Sequence, residues 1–300
     1  MVDLTSRYHS LGCHISKNDI SSLRQCIRVN TLKISSERLV ALLSDRGVVV
    51  EPVDDMADAF YVSAPFSLSS TIEYLKGYFY IQGVASQLPA IVLLDGGRDC
   101  GSSILDMCAA PGSKTTHLAS LTGDDVPLVA CDSDGSRLKA LEFNLERMGI
   151  SSISTFRKDA RFVDDLGLSF DRILLDAPCS GNYVSDPSFF SRRSVLDFKN
   201  RARLQKSLLH AAYDVLSPGG ILVYSTCSLE PEENELVIDW FLEEYDDIDV
   251  LETGLARGDP GLTDVFGRSL DDRISYARRF WPPKTGTEGF FIVKLKKALE

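Results

Sequence analysis

What the chain lacks narrows it first. None of its seven cysteines forms a C-x-x-C pair and its four histidines are isolated, so a zinc site is not expected. Cys13, Cys26, Cys100, Cys108, Cys131, Cys179 and Cys227 are scattered and odd in number, the pattern of free intracellular thiols rather than of a disulfide framework. No apolar run is long enough to cross a bilayer, and Met1-Val2-Asp3-Leu4-Thr5-Ser6-Arg7 lacks the shape of a signal peptide. A cytoplasmic protein without a membrane or metal partner is expected. Positive charge is also short. The net charge is −11, Asp outnumbers Glu, and Lys is scarce relative to Arg. A nucleic-acid partner would need a local basic face, with the acidity read as solvated surface suited to a salty cytoplasm.

Two nucleotide fingerprints are missing as well. There is no G-x-G-x-x-G, and Gly112-Ser113-Lys114-Thr115 fails as a P-loop because a residue separates Gly from Lys and the earlier Gly is absent. What stands there instead is Ile104-Leu105-Asp106, a short apolar strand, followed by Met107-Cys108-Ala109-Ala110-Pro111-Gly112 as a tight turn and a helix from Ser113. This is the opening unit of a parallel α/β sheet, in which ligands lie beyond the strand end and over the helix N-terminus. Ala109, Ala110 and Gly112 leave room against the backbone, and Pro111 limits the loop's shape.

The 300 residues exceed the usual single domain. Residues 1–80 read as a small α+β module: a strand Ile27–Lys33, a helix capped by Ser35 or Ser36 and running to Arg46, a strand Val48–Val53 and a third at Tyr61–Ser63. Residues 81–300 read as an α/β domain, with a helix Val84–Leu94 ahead of the first strand. Later strands are Pro127–Cys131 ending at Asp132, Ile153–Arg157, Phe170–Leu175 and Ile221–Ser225, with helices from Arg137 to a Gly149 cap, from about Asn200 to Leu216, and from Glu232 to Tyr245. Leu251–Thr287 reads as irregular, and Gly289–Leu295 as a last strand. Asp132 falls at a strand end past the glycine turn, where a carboxylate suits ribose hydroxyls.

Asp106-x-Cys108-Ala109-Ala110-Pro111-Gly112-x-Lys114 resembles the first motif of the Nop2/Sun (RsmB) family of RNA cytosine-5 methyltransferases. The likeness extends from about Arg28 to Leu295. It includes Arg28-Val29-Asn30-Thr31-Leu32-Lys33, similar to the family's accessory domain, where that segment helps hold RNA, and Gln82-Gly83-Val84-Ala85-Ser86 ahead of the first motif. It implies a Rossmann-like class I S-adenosylmethionine methyltransferase sheet, with the last strand antiparallel, behind a small N-terminal α+β domain. It implies S-adenosylmethionine held by Cys108, Ala109, Ala110, Pro111, Gly112, Ser113, Lys114, Asp132, Arg137, Asp159 and Asp176, with Asp159 near the adenine. Ser180-Gly181-Asn182-Tyr183 departs from the Ser-Gly-x-Gly of many relatives. Few residues follow the last strand, so no added PUA-type domain is expected. This compact form looks most like archaeal members that modify tRNA.

Carbon 5 of cytosine is a poor nucleophile. A thiolate adding to carbon 6 converts the ring to an enamine whose carbon 5 can accept a methyl group, after which a base removes the carbon-5 proton and the thiol leaves. Two cysteines stand at strand ends, Cys179 in Asp176-Ala177-Pro178-Cys179 and Cys227 in Thr226-Cys227-Ser228. Chemistry alone leaves open which attacks, and Pro178-Cys179 resembles the nucleophile motif of DNA cytosine-5 methyltransferases. The Nop2/Sun resemblance implies Cys227 as nucleophile and Cys179 in product release, with Asp176 and Lys114 beside the base. Cys13, Cys26, Cys100 and Cys131 are expected to be packing residues.

Arg192, Arg193, Lys199, Arg201, Arg203 and Lys206 form a basic run that could grip phosphates flanking a base turned out of its stack, joined by Arg24, Arg28, Lys33, Arg278, Arg279 and Lys284. The reading is an RNA cytosine-5 methyltransferase with tRNA as the expected substrate. An rRNA methyltransferase and a non-catalytic RNA-binding scaffold are the alternatives. The oligomeric state is left open, a monomer being sufficient.

Overall fold

The computed structural model describes residues 4–15, 23–94 and 103–299, so Cys100 lies outside the described residues. Two sheets organise the chain. The first has the order β2 (Val49–Val53), β3 (Met56–Ser63), β1 (Cys26–Val29), β4 (Phe79–Ile81) and is antiparallel throughout. Helix α2 (Ser36–Ser44) starts where the Ser35 hydroxyl accepts the Arg38 N–H, and buries Leu39 and Leu43 beneath the sheet. β1 is shorter than the Ile27–Lys33 strand expected. Asn30 leaves the ladder because its side-chain amide donates to the carbonyls of Gly77 and Met148, each at 2.8 Å, and the chain turns there. A short helix, α3 (Ile72–Leu75), leads into β4.

Beyond helix α4 (Val84–Leu94) lies the large mixed sheet. Its central strands β7 (Ile153–Arg157), β6 (Leu128–Asp132), β5 (Ile104–Asp106), β8 (Phe170–Asp176) and β9 (Leu216–Thr226) are adjacent in that order and parallel. β15 (Phe290–Lys297) then runs antiparallel to β9, flanked by β10 (Ile248–Leu251) and β14 (Arg278–Phe280), with β11 (Asp259–Pro260) at the edge. Successive strand residues point to opposite faces, so each strand feeds two cores. Ile104, Leu128, Leu174 and Val223 meet helices α4, α5 (Ser113–Thr122) and α6 (Gly135–Met148). Leu105, Ile173, Leu175 and Leu222 meet α8 (Val195–Val215) and α9 (Glu235–Glu244), which follow the short α7 (Phe189–Arg192). Cys131 sits in this second core and Cys13 and Cys26 are also buried, as expected of packing thiols.

Helix ends differ from the sequence reading for local reasons. α8 begins at Val195, not near Asn200, because the Asp197 carboxylate accepts the Ser194 N–H at 2.8 Å and its hydroxyl at 2.7 Å. α9 begins at Glu235, not Glu232, because the tight turn Pro231–Glu233 and the non-helical Asn234 precede it. The Leu251–Thr287 stretch holds short elements: β11, the hairpin β12 (Asp264–Val265) and β13 (Arg268–Ser269), β14, and α10 (Pro282–Thr285).

Helix α1 (Leu4–Ser10) does not join the first sheet. Tyr8 is fully buried against Tyr183 and Trp281, and its hydroxyl donates to Glu230 at 2.5 Å. Arg7 reaches Glu232 at 2.8 Å and Glu230 at 3.3 Å. Burial pushes the Glu230 carboxyl up to about 7, against the lowering effect of Tyr8 and Arg7. A carboxyl raised above its unfolded value near 4.5 adds stability that is complete below that value and is lost as pH rises through about 7. Buried Asp106, also pushed to about 7, acts in the same direction. The melting temperature should therefore fall from pH 5 to pH 8 through these groups, and Glu230→Gln should flatten that dependence. Parallel melting curves for the two proteins across the range would contradict this.

Candidate active site

β5 and β8 are neighbours, but the chain leaves β5 toward β6 and leaves β8 toward β9. Their C-terminal loops therefore part, opening a crevice at the switch point. In the β5 loop Gly112 adopts φ +103 and caps α5, a conformation that favours glycine. Asp132, at the end of β6, is buried, and its carboxylate accepts the Ala110 N–H at 3.2 Å and the Asp134 N–H at 3.0 Å. Arg137 donates to the Ala110 carbonyl and lies 3.4 Å from Asp132, so it braces the loop. Asp159 caps the turn after β7 and pairs with Arg161 at 2.6 Å.

A cleft runs between these groups, with Cys108, Asp132, Arg137 and Asp159 on one side and Pro178 and Leu204 on the other. Carboxylates at two strand ends and apolar walls opposite them suit a nucleoside: ribose hydroxyls on one wall, a flat base against the other. The donor set fits S-adenosylmethionine. Cys108 lines this cleft, and burial holds its thiol well above the usual range, so it is not a thiolate.

The second half of the crevice carries the sulfur atoms. Asp176 ends β8, and its carboxylate is held at both oxygens, by Lys114 Nζ at 2.7 Å and by the Ser225 hydroxyl at 2.7 Å. Lys114 also donates to the Ser86 hydroxyl at 3.2 Å, which gives the Gln82–Ser86 segment a place in the site. Lys114 and Asp176 reach one point from α5 and β8. The Cys179 and Cys227 Sγ atoms lie 2.9 Å apart, both half-buried. The hydrogen bond with Cys227, then burial, pushes the Cys179 thiol well up.

The sequence reading did not assign the groups that hold the two cysteine loops together. Glu233 is fully buried and accepts the Ser180 N–H at 2.9 Å, the Ser228 hydroxyl at 2.9 Å, the Gln205 amide at 2.9 Å and the Ser180 hydroxyl. Ser180 and Ser228 each follow one of the cysteines, so a single carboxylate sets the distance between both loops. Asn182 donates to the Cys227 carbonyl at 2.7 Å while its own oxygen accepts from Val184 and Ser185. The departure at Ser180-Gly181-Asn182 thus supplies a cross-brace. Glu230, Glu232, Glu233 and Glu235 are all buried. In sequence such a run reads as a solvated face. Its position directly after Thr226-Cys227-Ser228 was the signal available.

Several expected phosphate contacts are corrected. Arg28 is buried and donates to Gln82 at 3.0 Å and Thr116 at 2.9 Å, joining the first sheet to α5. Burial pushes its pKa down to about 9, a cost no exposed phosphate-binding Arg would bear. Arg279 is buried in an ion pair with Glu235 at 2.8 Å and donates to the Leu229 carbonyl. Lys33 caps the carbonyls of Lys76 and Arg147. Arg278 is committed to the Leu255 carbonyl, Arg24 pairs with Glu51 and Lys284 with Asp259.

The chain matches the family model for the 16S rRNA methyltransferase RsmB/F over residues 95–296. It also matches the N-terminal domain of the 16S rRNA methyltransferase RsmF over residues 15–84. The chain belongs to the RsmB/F methyltransferase family. Members of this family are S-adenosylmethionine-dependent RNA cytosine-5 methyltransferases, also called Nop2/Sun proteins, on a class I methyltransferase sheet. The chain is 38% identical over 301 residues to the ribosomal RNA small subunit methyltransferase F of Shewanella sediminis, covering 97% of this chain and 62% of that protein. It is 37% identical to the 28S rRNA (cytosine-C(5))-methyltransferase of Mus musculus, over 90% of this chain and 35% of the other. It therefore spans less than two thirds of these relatives. A crystal structure of a methyltransferase homolog protein from Pyrococcus horikoshii is 41% identical and superposes with a TM-score of 0.83, covering 93% of this chain and 88% of that one. That of NSun6 from Pyrococcus horikoshii with SFG is 28% identical, with a TM-score of 0.85 over 100% and 99% of the chains. Among the described residues no helix is long and apolar enough to cross a membrane and no cluster could hold a metal ion.

Proposed function

We propose that this protein methylates carbon 5 of a cytosine in tRNA through a covalent bond between Cys227 and carbon 6, with residues 1–80, apart from helix α1 packed on the large domain, as an accessory RNA-binding module and 81–300 as the catalytic domain. The observation that carries this is the pair of sulfur atoms, 2.9 Å apart, on loops that one carboxylate holds together beside the Lys114–Asp176 pair.

Bound S-adenosylmethionine would supply an electrophilic methyl group. The 108–114 loop, Asp132, Arg137, Asp159 and Asp176 would hold it. Cys227 adds its sulfur to carbon 6, and the displaced π electrons make carbon 5 nucleophilic. Negative charge grows toward ring nitrogen 3 and the carbonyl oxygen of the base during addition; Asp176 would bring a proton to nitrogen 3 and Lys114 would donate to that oxygen. Cys179 lies 2.9 Å from the Cys227 sulfur, within reach of the bond that must later break. At the end the carbon-5 proton is removed, the carbon–sulfur bond breaks and Cys227 leaves, with Cys179 serving that release.

The tRNA reading rests on the Ser180-Gly181-Asn182 loop, which resembles that of archaeal family members that modify tRNA. rRNA is the second reading, favoured by the names of the matching family models and of the curated relatives. The test incubates the protein and S-adenosylmethionine separately with unmodified tRNA and rRNA, followed by bisulfite sequencing. New 5-methylcytosine in tRNA is expected. Methylation of rRNA alone would replace the first reading by the second, and none in either would leave an RNA-binding scaffold.

A further inference from the structure

We propose that the cleft between α8, α9 and the β12–β13 hairpin carries the phosphate backbone of the RNA strand that flanks the target cytosine. This rests on the reading of RNA as substrate and adds where the strand runs.

Lys199, Arg203 and Lys206 line the cleft from α8, Glu232 and Leu236 from the opposite side, and Arg268 from the hairpin. The α8 cations recur at helical spacing, which puts them on one face. Most charged groups nearby are neutralised locally. Glu232 is paired with Arg7 at 2.8 Å, and Arg268 with Asp239 at 2.6 Å. Lys199, Arg203 and Lys206 have no ion-pair partner among the described residues. Three cations without ion pairs on one helix face stand against a chain of net charge −11. Lys206 is half-buried with its ammonium 4.7 Å over the Trp240 ring, and burial followed by repulsion from Arg268 pushes its pKa down. Asp239 and Glu243, the partners of Arg268, also act on Lys206, but no carboxylate forms an ion pair with the three α8 cations, the electrostatics of a site that can take its counter-ion from outside.

Its position ties it to the chemistry. Gln205, beside Lys206 on α8, donates to the Pro178 carbonyl at 3.1 Å and to Glu233 at 2.9 Å, and Glu232 on the cleft wall is the neighbour of Glu233. One end of the cleft therefore abuts the framework of the two cysteine loops. The lining holds no aromatic ring on which a base could stack, while Ala202 and Leu236 offer apolar surface for sugar rings. That composition suits the backbone and carries no sequence readout. Of the basic run expected from the sequence, this selects Lys199, Arg203 and Lys206 and adds Arg268.

The test compares wild type with the triple variant Lys199→Gln, Arg203→Gln, Lys206→Gln, each with S-adenosylmethionine bound, in binding the methyl-accepting RNA over a series of salt concentrations. Losing three phosphate contacts should make the slope of log K against log salt shallower by about 2, from roughly 0.7 per contact on single strands. S-adenosylmethionine affinity and melting temperature, as folding controls, should be unchanged. An unchanged slope in a folded variant overturns the cleft assignment while leaving the methyltransferase reading intact. Wild type that binds no RNA overturns both. If poly-glutamate binding weakens in the variant with the RNA slope unaltered, the cleft serves an acidic protein partner and the proposal fails.

Discussion

Cys227→Ala should lose methyl transfer by at least about a thousandfold, because removing a covalent nucleophile removes the pathway rather than one contribution to it. Carbon 5 stays unreactive unless a nucleophile adds at carbon 6, and Cys179 is assigned to release rather than attack. Cys179 is pushed toward the thiol form by its bond to Cys227 and by burial, and the negative charge of Glu233 acts in the same direction. S-Adenosylmethionine affinity should be retained, since Cys227 is not among the residues lining the nucleoside cleft. The change itself is small, and the Asn182 and Ser228 contacts to this loop run through the Cys227 backbone and the next side chain. Tritium transfer from labelled S-adenosylmethionine to RNA measures the effect. Activity within tenfold of wild type would refute Cys227 as the attacking sulfur.

Cys179→Ala should behave in the opposite sense. If Cys179 serves release, attack and methylation proceed and the product stays attached, so a protein–RNA adduct accumulates that survives denaturation. On a denaturing gel most of the protein should shift when RNA and S-adenosylmethionine are both present. The double variant lacking both sulfur atoms should show no shifted band. The logic depends on the 2.9 Å approach of the sulfur atoms, which places the assisting group at the bond that must break. Turnover without adduct in Cys179→Ala would remove it from the release step. An adduct formed by Cys227→Ala and missing from Cys179→Ala would exchange the two roles.

Much of this site was legible in the chain because it is local. The strand end at Asp106, the small residues before Lys114, and Asp132 one strand later lie within short stretches where spacing alone implies position. The helix Val84–Leu94 matched to the residue for the same reason, its apolar run being bounded by Gly83 before it and Asp95 after it. Long-range partners left weaker traces. Nothing about Glu233 marks it as the acceptor for residues near 180, 205 and 228, because those contacts exist only once β8, α8 and β9 are side by side. The arginines misled for the same cause. Arg28 and Arg279 look like surface charge in sequence, and only the packed structure gives them buried acceptors.

The order of strands and helices, the two cysteine motifs and the glycine turn come from the chain itself, through side-chain periodicity and backbone geometry acting over a few residues. Which carboxylates are buried, which cations remain unpaired, and that two sulfur atoms from different loops share one position were decided by tertiary packing. A buried charge depends on partners from every side, and no span of sequence contains them.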